Sequence, residues 1–160
     1  MDLKTELRRL LNEYRDNAYA DYKKRWDYYG ENYGDLTLPK PLKKQVYLFP
    51  NEKGFLVELF FNGVEVGHFH MYIDEDEGPM NDAVVKTDYR NKGFGKILLL
   101  TAIDVSYNYL GYYSSDSRGL TEFQNKTYAS LIKYGALNNN YEIDYDKAES
   151  LINEIVSKLN

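Results

Sequence analysis

Hydrophobic positions change their period along this chain of 160 residues, and each change marks out an element. Leu3, Leu7, Leu10, Leu11, Tyr14, Ala18 and Trp26 recur at three- and four-residue spacing with charges between them, which predicts an amphipathic helix over residues 1–30. Asp2 is placed to cap it, and Gly30 and Gly34 interrupt the pattern. Pro39 and Pro41 mark a loop, after which Gln45 to Phe49 reads as a short strand ended by Pro50. The clearest hairpin comes next, with Phe55 to Phe61 and Val64 to Ile73 flanking Asn62-Gly63. Asn-Gly is the preferred pair for a two-residue type I′ turn, because both residues tolerate positive φ.

The second half alternates differently. An acidic loop, Asp74 to Pro79, precedes a strand from Asp82 to Lys86. After a glycine-containing turn, Ile97 to Val105 is apolar almost all round and predicts a buried helix. Tyr112 to Ser115 reads as a short strand. Thr121 and Gln124 form a capping box that opens a helix, and Gly135 is the expected residue at its end. Tyr145, Ala148, Leu151, Ile152, Ile155, Val156 and Leu159 give a terminal helix over 146–159. The order of helix, strand, hairpin, strand, helix, strand, helix, helix predicts an α/β fold, a mixed sheet with helices packed on it, in one domain spanning 1–160.

Composition narrows the chemistry. A chain of this length buries roughly 70% of the surface its unfolded form exposes, so it needs no disulfide or metal to fold. It has no Cys, which removes thiolate metal sites and thiol nucleophiles. No apolar run reaches membrane-span length and the N-terminus lacks a signal-peptide pattern, so a cytoplasmic protein is expected. The net charge of −5 gives no strong nucleic-acid signal. The 17 Tyr suit interfaces as well as cores, although base-composition drift in an AT-rich coding sequence accounts for them as simply.

The segment from Val84 to Leu100 is where chemistry is expected. A strand ends, a turn with Gly93 and Gly95 comes next, and a hydrophobic helix begins. The first N–H groups of such a helix have no internal partners and sit at the positive end of its dipole, so they bind anions such as phosphate or pyrophosphate. Arg90, Lys92 and Lys96 add positive charge nearby. The P-loop pattern does not fit, since it needs four residues between its glycines and a Lys-Ser/Thr after them. The Rossmann pattern does not fit either, because Leu98 stands where a third small residue is needed.

Arg90-x-x-Gly93-x-Gly95, with Val84-Val85-Lys86-Thr87-Asp88-Tyr89 before it, resembles the GNAT superfamily of N-acetyltransferases. The likeness runs from about residue 55 to 136, with N- and C-terminal helices added, and it implies a central, mostly antiparallel sheet flanked by helices. Ser115 to Thr121 followed by a helix looks most like phage-encoded members. The resemblance implies acetyl-CoA or another acyl-CoA as cofactor. Its pyrophosphate would lie on Arg90, Asn91, Lys92, Gly93, Phe94, Gly95 and Lys96, and its pantetheine arm on the backbone of Val84 and Val85.

The resemblance also implies direct acyl transfer to an amine of a protein or small molecule, which requires a base, an oxyanion donor and often an acid for the thiolate. The family's usual tyrosine falls at Leu131, and Tyr128, one turn earlier, is the acid candidate, with packing as its plainer role. His68 and His70 share one face of the second hairpin strand with Val64, Val66 and Tyr72, and are base candidates or simply packed histidines. Asp82 and Asp88 are alternative carboxylate bases. A metal site at the two histidines lacks a third ligand. The acidic run from Asp74 to Glu77 suits a cationic amine or a basic partner, although such runs more often simply keep a loop in water. The long N-terminal apolar stripe points to a homodimer or larger assembly. Against the enzyme stands a catalytically silent protein of this fold, a binding or structural module such as a phage virion component or host-interaction factor, for which Leu131 speaks.

Overall fold

The computed structural model describes residues 2–7, 9–10, 23–115 and 121–159. Its centre is a five-stranded sheet in the order β1-β2-β3-β4-β5, every pair antiparallel, built from Asp27–Gly30, Leu42–Leu48, Gly54–Phe61, Val64–Asp74 and Gly78–Val85. The β3–β4 hairpin closes at Asn62 and Gly63 with φ of 53° and 78°, the two positive values a type I′ turn demands. Three helices come after the sheet: α1 (Phe94–Leu110), α2 (Glu122–Tyr134) and α3 (Tyr145–Leu159). The result is an α/β domain, an antiparallel sheet flanked by helices.

Several elements depart from the pattern read along the chain. At the N-terminus, residues 3–7 and 9–10 are helical and Asp2 Oδ1 accepts the Thr5 N–H at 2.7 Å, a side-chain cap. The helix does not reach Gly30, however. Residues 24–26 turn, and Asp27–Gly30 pairs with β2 as an edge strand, where the Tyr28 and Tyr47 rings lie 5.1 Å apart across the ladder. Leu11, Tyr14 and Ala18 of the expected stripe lie outside the described residues, and Leu3, Leu7 and Leu10 are exposed. Tyr112 to Ser115 forms no strand. It is linked to β5 by the Asn81 side chain, whose Nδ2 lies 3.4 Å from Ser114 O and 3.5 Å from Tyr113 Oη, in place of a backbone ladder.

A bulge decides which face the histidines occupy. Leu59 opposes Gly67 while Phe60 opposes Glu65, so β4 carries one extra residue there. Val66 is therefore turned into the core with Phe69 and Met71, whereas His68, His70 and Tyr72 address the opposite face. Val66 does not share the histidines' side as a simple alternation predicts. That second face is covered near Trp26, which stacks on His70 at 5.9 Å and meets Phe49 at 3.9 Å, and near Lys23, which bonds Glu58 at 3.1 Å.

The first face packs on α1. Residues 97–106 of that helix are all buried, against the sheet on one side and against α2, α3 and the 34–36 loop on the others. Full burial makes its one charged residue in that stretch, Asp104, decisive. Asp104 Oδ2 accepts the N–H groups of Asp35 and Leu36, both at 3.0 Å, and Oδ1 accepts the Tyr145 hydroxyl at 2.6 Å and Asn108 Nδ2 at 3.2 Å. Lys44, also buried, donates to Leu36 O at 3.3 Å. Burial holds its ammonium pKa below the ordinary lysine value, and the charges of Asp104 and Asp35 oppose that shift. Breaking a buried, hydrogen-bonded charge network strands the remaining partners, at a cost of roughly 3–5 kcal/mol. Asp104→Ala is expected to lower the unfolding free energy by about that amount in urea titration. A loss under about 1 kcal/mol would show that the network is dispensable.

Candidate active site

The site lies where β5 ends and α1 begins. Val85 closes the strand, Thr87–Tyr89 makes one 3₁₀ turn, and Arg90 to Gly93 curls back to the helix. Asn91 and Gly93, at φ of 62° and 97°, supply the left-handed residues this curl requires. The first bond of α1 runs from Ile97 N–H to Gly93 O at 3.3 Å, so the amides of Phe94, Gly95 and Lys96 precede the helix's own ladder.

Beside the turn is a cleft of about 420 Å³, within the usual range for small-ligand sites. It is lined by Ala83, Val84 and Val85 from the end of β5, by Tyr89, Arg90, Asn91 and Gly95 from the turn, and by Thr121 and Phe123 from the start of α2. The walls are mostly apolar and the charge sits at the turn, a division that suits a long, largely uncharged arm ending in an anion.

The backbone of β5 adds a second recognition element. Lys86 N–H donates to Val66 O at 2.9 Å, so those residues form a hydrogen-bonded pair. Such pairs alternate along an antiparallel ladder. Val84 and Asp82 therefore direct their N–H and C=O toward β4, while Val85, Ala83 and Asn81 direct theirs to the open edge that faces the cleft. Arg90 Nε already donates to Val85 O at 3.0 Å, which fixes the side chain at the cleft's end. Of the backbone positions expected to meet a ligand, Val85 presents its N–H and C=O to the open edge and Val84 turns its own toward β4; Ala83, not expected, lies with Val85 at the edge.

The other expected residues scatter. Lys92 lies with its ammonium 5.8 Å from the centre of the Tyr89 ring. Phe94 is buried against Phe61 and Tyr89, so its side chain serves the core and only its amide is available to the site. Gly93 packs against α3. Lys96 is half-buried on the first turn of α1. Tyr128, 3% exposed, sits in a cluster with Tyr113 and Tyr141, and its hydroxyl is hydrogen-bonded to that of Tyr113. Leu131 is fully buried in the core.

Neither histidine lines the cleft. His68 lies directly across from Val84, with Nδ1 3.8 Å from Glu65, a carboxylate that also pairs with Lys86 at 3.2 Å. His70 lies across from Asp82, and burial lowers its pKa to about 4, against the opposing pull of Asp82. Asp82 and Asp88 are exposed, and Asp74 accepts the amides of Asp76 and Glu77, both at 2.9 Å, so the acidic run is a tight turn ordered by its own first residue. Residues 116–120 of the stretch likened to phage proteins lie outside the described residues. Among the described residues no group of three His, Asp or Glu is placed to hold a metal, and no helix is long and apolar enough to cross a membrane.

Thr121 and Phe123 were legible only as a helix start. Thr121 Oγ1 does accept the Gln124 N–H at 3.1 Å, and the same geometry puts both residues on the cleft.

A strand-edge cleft ending in a glycine turn has a shape and charge division that suit an extended, anion-tipped ligand. The sequence profile of the Acetyltransferase (GNAT) family matches residues 8–116, more than half of the chain, and the chain belongs to that family. The family comprises N-acetyltransferases that use acetyl-CoA or another acyl-CoA as co-substrate and act on amines. Comparison with curated proteins and with solved structures returned no match.

The buried imidazole gives a pH prediction. The folded pKa of His70, about 4, lies below the ordinary histidine value of 6.5, so between these values the unfolded chain binds a proton that the folded one refuses. Stability is therefore fully present above pH 6.5 and falls as pH drops toward 4, by about 3 kcal/mol from this group. Urea titrations at about pH 7 and pH 4.5 are expected to show this loss in the wild type and a smaller one in His70→Phe. Equal losses would remove His70 as the cause.

Proposed function

We propose that this protein is an acyl-CoA-dependent N-acyltransferase, with acetyl-CoA as donor and an amine of a protein or small molecule as acceptor. The single observation that carries the reading is that the open β5 edge and the α1 N-terminus line one cleft. An arm carrying amide groups pairs with the backbone of Ala83 and Val85, and a diphosphate at its end meets the amides before Ile97 and the Arg90 guanidinium. Acyl-CoA supplies the acyl group. The protein's own task is to orient it, exclude water and manage two protons.

Tyr113 and Tyr128 supply the acid in this reading. Their linked hydroxyls adjoin Asn81, two residues before Ala83 of the cleft, and a hydroxyl brought against the leaving thiolate there would give it the proton directly. His68 is the better-placed base, because it lies across from Val84 of the cleft, while the low pKa of His70 makes that imidazole a weak proton acceptor. The acceptor amine then approaches from the face of the sheet that carries the histidines.

A specific observation favours a second reading, a catalytically silent module of this fold, such as a phage virion or host-interaction protein. Both turn glycines are occupied by packing from the C-terminal helices, so they would be retained without a ligand. Calorimetric titration of acetyl-CoA separates the two. Micromolar binding is expected for the wild type, with a loss of at least about tenfold in Arg90→Glu, where one charge-assisted contact becomes a repulsion. Release of free thiol with an amine panel should then fall in Tyr128→Phe at unchanged donor affinity. No binding by folded wild-type protein would favour the silent module.

A further inference from the structure

The family match ends at residue 116, yet the glycine turn is shaped by side chains that lie beyond that point in the chain. A β-carbon at Gly93 would stand 2.6 Å from Ile155 Cγ2 and 3.2 Å from its Cγ1 and Cδ1. One at Gly95 would stand 2.6 Å from Phe123 Cζ. Each glycine of the turn therefore lies directly under a side chain from a different C-terminal helix, α3 on one and α2 on the other. Phe123 lines the cleft and is 42% exposed, so it meets any occupant directly. Ile155 lies behind the turn and is not part of the cleft wall.

We propose that Ile155 is a positioning residue for the diphosphate-binding turn, acting through Gly93 and opposed by Phe123 at Gly95. This rests on the acyl-CoA reading above. Glycine at φ 97° has wide conformational freedom, and the amides of Phe94, Gly95 and Lys96 point where Gly93 sends them. Anion affinity at a helix start depends on those donors being fixed before the ligand arrives. Three carbon atoms of Ile155 fill the space into which a Gly93 side chain would project, and so limit the room in which this turn can rearrange. The helix that carries it is anchored independently by Leu151, Ile152 and Val156, all buried, so trimming Ile155 leaves α3 in place.

The test compares CoA affinity by calorimetry in the wild type, Ile155→Ala, Ile155→Val and Leu159→Ala. Leu159 packs on the same core from the same helix, whereas the three atoms nearest the Gly93 position all belong to Ile155. Ile155→Ala is expected to bind CoA about tenfold more weakly, while Ile155→Val and Leu159→Ala stay within about twofold of the wild type. Circular dichroism establishes that each is folded. Two results overturn the proposal: wild-type affinity in Ile155→Ala, or an equal loss in Leu159→Ala, which would assign the effect to general loosening of α3. Absence of CoA binding by the wild type overturns the acyl-CoA reading itself and this proposal with it.

Discussion

Asp104 is the group on which the rest of the structure depends. It is the one charged residue in the wholly buried stretch of α1, and a carboxylate in that position is tolerable only when its lone pairs are taken. Two loop amides, a tyrosine hydroxyl and an asparagine take them, with the buried Lys44 ammonium close by. Those partners come from the 34–36 loop, β2, the last turns of α1 and the start of α3. The network therefore fixes α1 in rotation and along its axis. The N-terminus of that helix is the turn proposed to hold the diphosphate, so a buried charge near the helix's middle sets where the turn's amides lie relative to the β5 edge.

The glycines of the turn answer to packing as much as to a ligand. In a strand-turn-helix motif, small residues are usually read as room for a phosphate. Here Ile155 and Phe123 occupy the space over Gly93 and Gly95. Packing requires both glycines whatever the cleft holds. Arg90 and the outward backbone of Ala83 and Val85 are the features that packing alone does not require, and they carry the functional reading.

Local rules govern the parts of the fold that were legible in the sequence. Asn62-Gly63 dictated its turn, Thr121 its cap, Gly135 its helix end at φ 93°, and the apolar stripe from Tyr145 its helix. The end of the cleft, from Arg90 to Gly95, was legible for the same reason, because strand, turn and helix are contiguous. The parts that stayed hidden depend on distant partners. The bulge that separates Val66 from His68 arises from pairing with β3, and β1 exists because Tyr28 finds Tyr47. Ile155 is separated from Gly93 by most of the C-terminal region, and nothing in its helical periodicity says which core-facing residue will meet the turn. Tyr128 illustrates the converse. Its place on a helix face was readable, whereas its burial against Tyr113 and Tyr141 was not.

A single ligand spanning the β5 edge and the α1 N-terminus must perturb both. The most direct measurement is the amide ¹H–¹⁵N spectrum of the full chain as acetyl-CoA is added. Shifts are expected to concentrate at Ala83, Val85 and residues 91–96, with β1 and β2 unaffected. Saturation without change at Ala83 and Val85, or shifts confined to the histidine face, would contradict a single spanning ligand.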